Sequence, residues 1–396
     1  MSEWQEIAIE ELCSEITDCV NKTAPSVDYV TPYKMIRTTN IKQGRINIDE
    51  VRYVTEETYK TWIRRGAPQL EDIILTREAP VGEVGMIRTS EKVFLGQRTM
   101  MYRADRTKAD PYFLYYAFQT EAVQEQIHSA GMGSVVEHVR VPDAKKFKIN
   151  TPPLPEQKAI ASVLSSLDDK IDLLHRQNKT LEAMAETLFR QWFIEDETLA
   201  EVTVSELIEF NPRRSLSKGT NAIYLEMAGL STQSFNATGY YRREFSSGTK
   251  FIQQDTLLAR ITPCLENGKA GYVTFLNDNE VGWGSTEYIV MHPKIGIHPL
   301  MAYVLCRNQD FKDYAESCME GSSGRQRVNV DHLKEFTIGK PSDEVIQQFN
   351  DYLKSIEAKL IYNSKQIQTL ENLRNTLLPK LMSGEVSVQY QTEEVA

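Results

Sequence analysis

The sequence predicts a mixed α+β fold of two globular α/β blocks, each followed by a long helix, with the two helices paired as an antiparallel coiled coil. Three observations predict it. At 396 residues the chain is longer than one typical domain. Its second half repeats the plan of its first half. Each half also ends in a segment whose apolar residues recur at the alternating three- and four-residue spacing of a coiled-coil helix.

The internal repeat relates the two halves at a constant offset. Leu164 aligns with Leu353, and the tripeptide Thr-Leu-Glu at 180–182 aligns with the same tripeptide at 369–371. Three further pairs of segments correspond with small insertions: IAIEEL (7–12) with VTVSEL (202–207), DIILTREAPVGEVG (72–85) with DTLLARITPCLENGKAG (255–271), and GQRTMMY (96–102) with GSTEYIV (284–290). A repeat of this kind predicts two similar blocks related by a pseudo-twofold axis.

The repeat divides the chain into five predicted segments. Within the blocks, short β-type runs alternate with Gly, Pro and Asn turns, and the segments at 112–129 and 299–317 predict matching helices. The predicted bounds are 1–150 for the first domain, 151–195 for the first long helix, 196–340 for the second domain, 341–385 for the second long helix and 386–396 for a C-terminal tail.

The amino-acid composition limits the classes of protein to which the chain can belong. Hydrophobic residues make up 41% and charged residues 25%, which is typical of a soluble globular protein. No apolar run reaches the roughly 18 residues needed to span a bilayer, and the start MSEWQEIAIEEL lacks the regions of a signal peptide. The five cysteines, odd in number and without a C-x-x-C pair, predict free thiols. We therefore expect a cytoplasmic protein.

The charge of the chain is unevenly distributed. A net charge of −10 disfavours nucleic-acid binding by the chain as a whole, because DNA binding rests on neutralising phosphates. Residues 31–65, however, carry eight basic side chains against four acidic ones, whereas residues 3–18 hold six carboxylates and no Lys or Arg. A basic face on an acidic body is the expected result.

The two long segments carry matching apolar stripes. The stripes are Ile160, Leu164, Leu167, Ile171, Leu174, Asn178, Leu181, Ala185 and Leu188 in the first and Phe349, Leu353, Ile356, Leu360, Asn363, Ile367, Leu370, Arg374 and Leu377 in the second. With Ile160 at heptad position d, Asn178 falls at a and Asn363 at d, and these positions face each other in an antiparallel pair. The two asparagines are predicted to hydrogen-bond and fix the helix register. The alternative places both at a solvated edge.

One segment resembles a protein family. TPPLPEQKAIASVLSSLDDKIDLL (151–174) is similar to the motif I-P-L-P-P-L-x-E-Q-x-x-I-A-x-x-L-x-x-x-D-x-x-I of the specificity (S) subunits of type I restriction-modification enzymes. LENLRNTLLPKLMSGEV (370–386) resembles the closing segment of the family, and residues 72–85 resemble a strand-turn-strand of its target-recognition domains. PSDEVIQQF (341–349) departs from the pattern, because it lacks the second Pro-Pro-x-x-Glu-Gln.

The resemblance implies a DNA-reading subunit that performs no chemistry itself. Each target-recognition domain would read one half of an asymmetric bipartite site, and the helices would set the spacing. The implied partners are double-stranded DNA, two modification (methyltransferase) subunits and, in complexes that cleave DNA, restriction subunits; no membrane is implied. No cofactor is expected in this chain. S-adenosylmethionine, and ATP and Mg²⁺ where a restriction subunit is present, would belong to the partners.

Candidate DNA contacts are chosen by chemistry. Reading the major groove needs forked donors for guanine, amides for adenine and hydroxyl groups. The candidates are Lys34, Arg37, Thr38, Thr39, Asn40, Lys42, Arg45, Arg64, Arg65, Arg98 and Arg140 in the first block and Arg242, Arg243, Asn267, Lys269, Ser323, Arg325, Gln326 and Arg327 in the second. For each, a solvated surface role is the alternative. Arg77 and Arg260 align, which favours phosphate contact or a structural role over specificity. Phe189, Trp192 and Phe193 either cap a recognition domain or contact a modification subunit.

No catalytic or metal site is predicted. The sequence has no GxxxxGK[ST] loop and no methyltransferase-type Asn/Asp-Pro-Pro-aromatic tetrad, and its histidines form neither HxxxH nor HExxH. Two alternative functions are retained. A two-domain coiled-coil scaffold or signalling protein without DNA binding would explain the acidity. An enzyme with an unrecognised site would show activity in the isolated chain.

Overall fold

The computed structural model describes residues 4–131, 137–322 and 324–389. Contacts within the chain group it into two units. Unit 1 comprises Met1–Lys170 and Leu370–Ala396, and unit 2 comprises Ile171–Thr369. Each unit thus contains one globular block and a piece of each long helix. The five-segment division stays a prediction, whereas the two long helices are observed.

Each half of the chain contains short strands and helices and ends in one long helix. The first half contains β1 (Gln5–Ala8), α1 (Ile9–Leu12), β2 (Cys13–Asp18), β3 (Tyr33–Ile36), β4 (Ile41–Lys42), β5 (Arg45–Ile46), β6 (Arg52–Tyr53), α2 (Glu56–Trp62), β7 (Ile73–Arg77), β8 (Val81–Met86), β9 (Lys92–Leu95), β10 (Thr99–Ala104), α3 (Pro111–Ala117), α4 (Glu121–Gly131), α5 (Val141–Ala144), β11 (Lys148–Thr151) and α6 (Leu154–Phe189). The second half contains β12 (Ala200–Thr203), α7 (Val204–Leu207), β13 (Ile208–Phe210), β14 (Asn221–Leu225), β15 (Tyr241–Glu244), β16 (Thr249–Ile252), β17 (Thr256–Ala259), β18 (Ala270–Tyr272), β19 (Val281–Gly284), β20 (Tyr288–Pro293), α8 (Leu300–Arg307), α9 (Gln309–Ser317), β21 (Met319–Glu320), β22 (Arg327–Val328), α10 (Val330–Leu333), β23 (Thr337–Lys340) and α11 (Asp343–Met382).

The block of unit 1 is built on small antiparallel sheets. Its four-stranded sheet has the order β2-β10-β7-β8, β1 pairs with β11, and β4 pairs with β5. Every residue of β7 is buried, as its run Ile-Ile-Leu-Thr predicts for a central strand. A separate sheet of order β6-β3-β9 places β3 between an antiparallel and a parallel neighbour. This smaller sheet positions several of the candidate DNA contacts.

The main sheet of unit 2 has the same strand order as the main sheet of unit 1. This four-stranded sheet runs β13-β20-β17-β18, and β12 pairs with β23. A second four-stranded sheet runs β15-β14-β19-β16, in which β14 again lies between an antiparallel and a parallel neighbour. These sheets and the two long helices confirm the prediction of a mixed helix-and-strand fold.

The predicted helix of each block is divided in two. In unit 2 the break occurs at Asn308, whose backbone is extended (ψ 132°). The Asn308 side chain caps the second helix, because its Oδ1 accepts a hydrogen bond from the Phe311 backbone N–H at 3.0 Å. In unit 1 the separate helices α3 and α4 flank the segment 118–120. The apolar pattern therefore predicted correctly which residues are helical, but it did not predict that each segment forms two helices.

The pieces of α6 and α11 run in opposite directions within each unit. In unit 2 the Phe189 and Phe193 rings lie 6.3 and 5.0 Å from the Phe349 ring, and Asn178 contacts Asn363. As the residue numbers increase along α6, the numbers of the residues that they contact on α11 therefore decrease. Phe189 and Phe193 are buried in the core of unit 2, which supports the interpretation that they cap this block.

In unit 1 the same direction of packing is seen. Asp168 of α6 pairs with Arg374 of α11, and further along the two helices Leu164 and Leu381 lie in one core. That core is shared with the buried residues of α1 and of the four-stranded sheet. The helices thus supply part of the hydrophobic interior of the block instead of standing apart from it.

Glu182 attaches α6 to the block of unit 2. Its carboxylate accepts hydrogen bonds from the Tyr303 hydroxyl and, at 3.3 Å, from the Phe235 backbone N–H. Burial is the largest influence on this carboxyl group and raises the pKa of Glu182 above its ordinary value of 4.5. The folded state therefore holds the Glu182 proton more tightly than the unfolded state does.

This raised pKa predicts a pH dependence. As pH falls from 7 towards 4.5, the folded state takes up the Glu182 proton first, so wild type should gain stability relative to Glu182→Gln, which has no such proton. Urea unfolding of both proteins at pH 7, 6 and 5 measures the difference. Glu209→Gln, at an exposed position of β13, serves as the control. A difference between wild type and Glu182→Gln that stays constant or shrinks on acidification would contradict the assignment.

Candidate nucleic-acid interface

Several of the predicted DNA contacts carry an acidic partner. All of these pairs involve exposed or partly exposed side chains, which makes each pair worth only about 0–1 kcal/mol. The pairs are Lys34–Glu91, Arg65–Asp18 (2.7 Å), Arg98–Glu78 (3.3 Å), Arg140–Asp143 (2.9 Å), Arg242–Glu280 (2.9 Å) and Arg327–Glu287 (2.8 Å). For each of these side chains, DNA would compete with the carboxylate for the positive charge.

Arg327 and Glu287 form the best-aligned of these pairs. The guanidinium donates from two of its nitrogens to the carboxylate, over distances of 2.8 to 3.0 Å. The hydrogen bond from Arg327 lowers the pKa of Glu287, so the pair stays charged at neutral pH. Arg327 lies on β22, next to the exposed Arg325.

Other candidate side chains are buried or make hydrogen bonds within the protein. Asn40 is buried: its Oδ1 accepts from the Arg37 N–H at 2.9 Å, and its Nδ2 donates to the Glu50 carbonyl at 2.9 Å. Thr38 beside it is also buried. Their prediction as direct DNA contacts is therefore corrected to a structural role, because no donor or acceptor of Asn40 is left on the surface. Lys269 Nζ likewise donates to the Met227 carbonyl at 3.1 Å.

The remaining candidates differ in accessibility. Arg64 is exposed and its Nε donates to the Thr61 carbonyl at 2.9 Å, while Arg243 lies over the Tyr224 and Trp283 rings at 5.0 and 5.7 Å. Exposed positions are held by Thr39, Lys42, Arg45, Asn267 and Arg325, and Gln326 is half-buried. Ser323 lies outside the described residues, as does much of the predicted loop 131–140.

Arg77 and Arg260 occupy equivalent places in the two units. Arg77 Nη1 donates to the Val139 carbonyl at 3.4 Å, and Arg260 Nη2 donates to the Val328 carbonyl at 3.0 Å. In both units the backbone returns the contact: the Val139 N–H donates to the Arg77 carbonyl and the Val328 N–H donates to the Arg260 carbonyl. Of the two interpretations, phosphate contact or structure, these contacts support the structural one.

The contacts of Arg260 predict a stability effect. Arg260→Met leaves the Val328 carbonyl without its side-chain donor and should lower the free energy of unfolding by about 1–2 kcal/mol. Arg325→Met, at an exposed position close by in sequence, should change it by less than about 0.5 kcal/mol. Urea unfolding of both variants measures the two effects. Equal values for the two variants would show that the Arg260 contact carries no structural weight.

Two buried acidic residues on the long helices were not among the predicted site residues. Asp168 and Glu357 align in the repeat, and both are nearly inaccessible to solvent. The Tyr116 hydroxyl donates to Asp168 at 2.7 Å in unit 1, and the Tyr272 hydroxyl donates to Glu357 at 2.5 Å in unit 2. Burial, together with Asp168, raises the pKa of Tyr116. The available signal was an acid at matching positions of the repeat, directly after the stripe residues Leu167 and Ile356. Asp168 also pairs with Arg374, a partly buried residue of the second stripe.

Three findings bear on the other predicted functions. All five cysteines are free. Within residues 4–131, 137–322 and 324–389, no group of three His, Cys, Asp or Glu side chains could hold a metal ion. In the described part of the chain, no helix combines the length and the apolar character needed to cross a membrane.

Known proteins resemble this chain in sequence. Residues 1–183 match the family model of the type I restriction modification DNA specificity domain. The MjaIX type I restriction enzyme specificity subunit of Methanocaldococcus jannaschii is 23% identical over 367 residues, which cover 85% of this chain and 82% of that protein. The putative MjaX specificity subunit of the same organism is 31% identical over 188 residues, covering 45% of this chain and 44% of that protein.

The fold resembles that of a solved structure. The crystal structure of the type I restriction-modification system S subunit from M. genitalium matches with a TM-score of 0.51 and 19% sequence identity, covering 99% of this chain and 97% of that chain. In sequence and in fold, the chain is thus similar to the specificity subunits of type I restriction-modification enzymes. The resemblance first recognised in residues 151–174 is thereby confirmed.

Proposed function

We propose that this chain is the DNA sequence-specificity subunit of a type I restriction-modification complex. The observation that carries the proposal is the similarity to specificity subunits over most of the chain, together with the equal strand order of the main sheet in the two blocks. A coiled-coil scaffold or signalling protein would not account for this similarity.

Each block is proposed to read one half of an asymmetric bipartite site. Equal strand orders give the two blocks the same frame, while the side chains on equivalent strands differ. Strand β6 carries Arg52 and Tyr53, whereas its counterpart β15 carries Tyr241, Arg242 and Arg243. Because base edges are read by side-chain donors and acceptors, different residues on the same frame should select different half-sites.

The two long helices are proposed to form an antiparallel coiled coil that sets the distance between the half-sites. Opposite chain directions within each unit and the hydrogen bond between Asn178 and Asn363 support this proposal. A pair of rigid helices imposes a fixed separation on two readers, just as dimeric DNA-binding proteins impose a half-site spacing. Asn178 and Asn363 are proposed to fix the register of this pair.

The chemistry is proposed to reside in partner subunits. Two modification subunits would dock on this chain and bind S-adenosylmethionine. A restriction subunit, in a complex that has one, would bind ATP and Mg²⁺. This chain would contribute target recognition and assembly and no catalytic group.

Purification of the tagged chain from its source strain tests the proposal. We expect an adenine methyltransferase to co-purify and the complex to transfer methyl groups from S-adenosylmethionine to DNA, while the isolated chain transfers none. Methyl transfer or DNA cleavage by the isolated chain would favour the enzyme alternative. Absence of DNA binding by the complex would favour the scaffold alternative.

A further inference from the structure

Arg37 and Arg52 lie on one face of the β6-β3-β9 sheet. Arg52 of β6 is the cross-strand partner of Met35 of β3, so their side chains share a face. Arg37 follows Met35 by two positions in extended backbone (φ −110°, ψ 167°), which returns its side chain to that face. The two guanidinium groups are therefore neighbours.

Neither arginine has an acidic partner among the described residues. By contrast, three other basic candidates of this block, Lys34, Arg65 and Arg98, each pair with a carboxylate. Two unpaired neighbouring guanidiniums are notable in a chain that holds 55 acidic and 45 basic residues. Burial, and in second place the positive charge of Arg52, lower the pKa of Arg37. Neighbouring like charges repel each other unless an anion lies between them.

One nitrogen of the pair lacks a hydrogen-bond partner. The Nε of Arg37 is inaccessible to solvent and bonds to no protein atom. A buried donor in this state costs free energy comparable to that of a lost hydrogen bond. An anion bound to the charged guanidinium group of Arg37 would offset the free-energy cost of the unpartnered Nε.

The surrounding structure holds the two arginines in place. Asn40 cross-links the Arg37 turn to the Glu50 carbonyl, two residues before Arg52, with both hydrogen bonds at 2.9 Å. Gly96 provides space for the Arg37 side chain, because a Cβ at this position would lie 3.3 Å from Arg37 Cγ and 2.5 Å from the Ile36 carbonyl oxygen. The arginine pair is therefore pre-oriented by the fold.

We propose that Arg37 and Arg52 together bind one phosphodiester of the DNA backbone, beside the half-site read by unit 1. The inference rests on the proposed function and deepens it. Two adjacent guanidiniums complement the two non-bridging oxygens of one phosphate, whereas a guanine edge is satisfied by a single arginine. Their role is to position the block on DNA, and Asn40 is a positioning residue for the pair.

The salt dependence of DNA binding tests the proposal in the complete complex with its modification subunits. Two duplexes are used: one with the motif methylated in the source strain and one of random sequence. Each phosphate neutralised contributes about 0.9 to the slope of log K against log salt concentration. The double variant Arg37→Gln/Arg52→Gln should therefore lose about 0.9 of slope and bind both duplexes about tenfold more weakly.

Two control variants distinguish a phosphate contact from a general loss of positive charge and from misfolding. Arg106→Gln removes an exposed arginine of the same block that pairs with Glu71, and it should leave the slope unchanged. Arg52→Lys, which retains the charge, should keep the slope while weakening binding, and a retained slope also shows that the block is folded.

Three outcomes would overturn the shared phosphate. An unchanged slope in the double variant would show that the pair does not contact the backbone. A loss of about 1.8 would assign the arginines to two separate phosphates. Weakened binding of the motif duplex alone would assign them to base reading. If the wild-type complex binds neither duplex, the proposed function fails and the phosphate assignment fails with it.

Discussion

Replacing Arg374 by Met is expected to lower the free energy of unfolding of unit 1 by about 3 kcal/mol, because it removes the closer cation of a buried carboxylate. Arg374 Nη1 donates to Asp168 Oδ1 at 2.8 Å, and the Asp168 side chain is 5% exposed. The variant leaves that carboxylate with the Tyr116 hydroxyl at 2.7 Å and with Arg88 at 3.8 Å, the more distant of its two cations. Equilibrium urea unfolding of the purified chain measures the loss.

Two further variants make this test specific. Arg176→Met removes an exposed arginine from α6 and should change stability by less than about 0.5 kcal/mol. Adding Asp168→Asn to Arg374→Met removes the uncompensated charge and should recover much of the loss. If Arg374→Met were no more destabilising than Arg176→Met, the ion pair could not be what holds this part of unit 1.

Replacing Asn178 by Leu is the second change with a large expected effect. Asn363 Nδ2 donates to Asn178 Oδ1 at 2.8 Å, and Asn363 is fully buried, with its own Oδ1 unpartnered. The single variant leaves this amide without its main partner and should lower the free energy of unfolding by about 2 kcal/mol. Urea unfolding measures this effect as well.

The double variant Asn178→Leu/Asn363→Leu separates stability from register. Both polar groups are gone, so the free energy of unfolding should return to the wild-type value or exceed it. The hydrogen bond that is proposed to fix the register of the two helices is also lost. The fraction of target sites methylated by the complex should therefore fall. Full stability together with full methylation would show that other contacts fix the register of the helices.

Periodicity predicted the helical part of the structure well. A heptad count placed Asn178 opposite Asn363, and these two residues do hydrogen-bond. The count succeeds because positions along a helix are determined by local geometry. The same reasoning missed the break at Asn308, where a side-chain cap starts a new helix within a continuous apolar pattern.

The ion pairs of the candidate DNA contacts were harder to predict, because they depend on which strands and turns lie side by side in the folded protein. Arg98 meets Glu78 across the β7–β10 turn region, and Arg327 meets Glu287 from a different strand pair. Composition cannot distinguish such a paired arginine from an unpaired one such as Arg37, since the partner is brought close only by tertiary structure. Asn40 was chosen for its amide chemistry, yet that amide is used by the fold.

Genome-wide mapping of methylated adenine in the source strain, with and without this gene, tests the central claim most directly. We expect that deletion removes one bipartite, asymmetric motif and leaves other methylation unchanged. The lost motif would also reveal both half-sites and the spacing between them. An unchanged map in a strain whose methyltransferase co-purifies with this chain in active form would contradict the account.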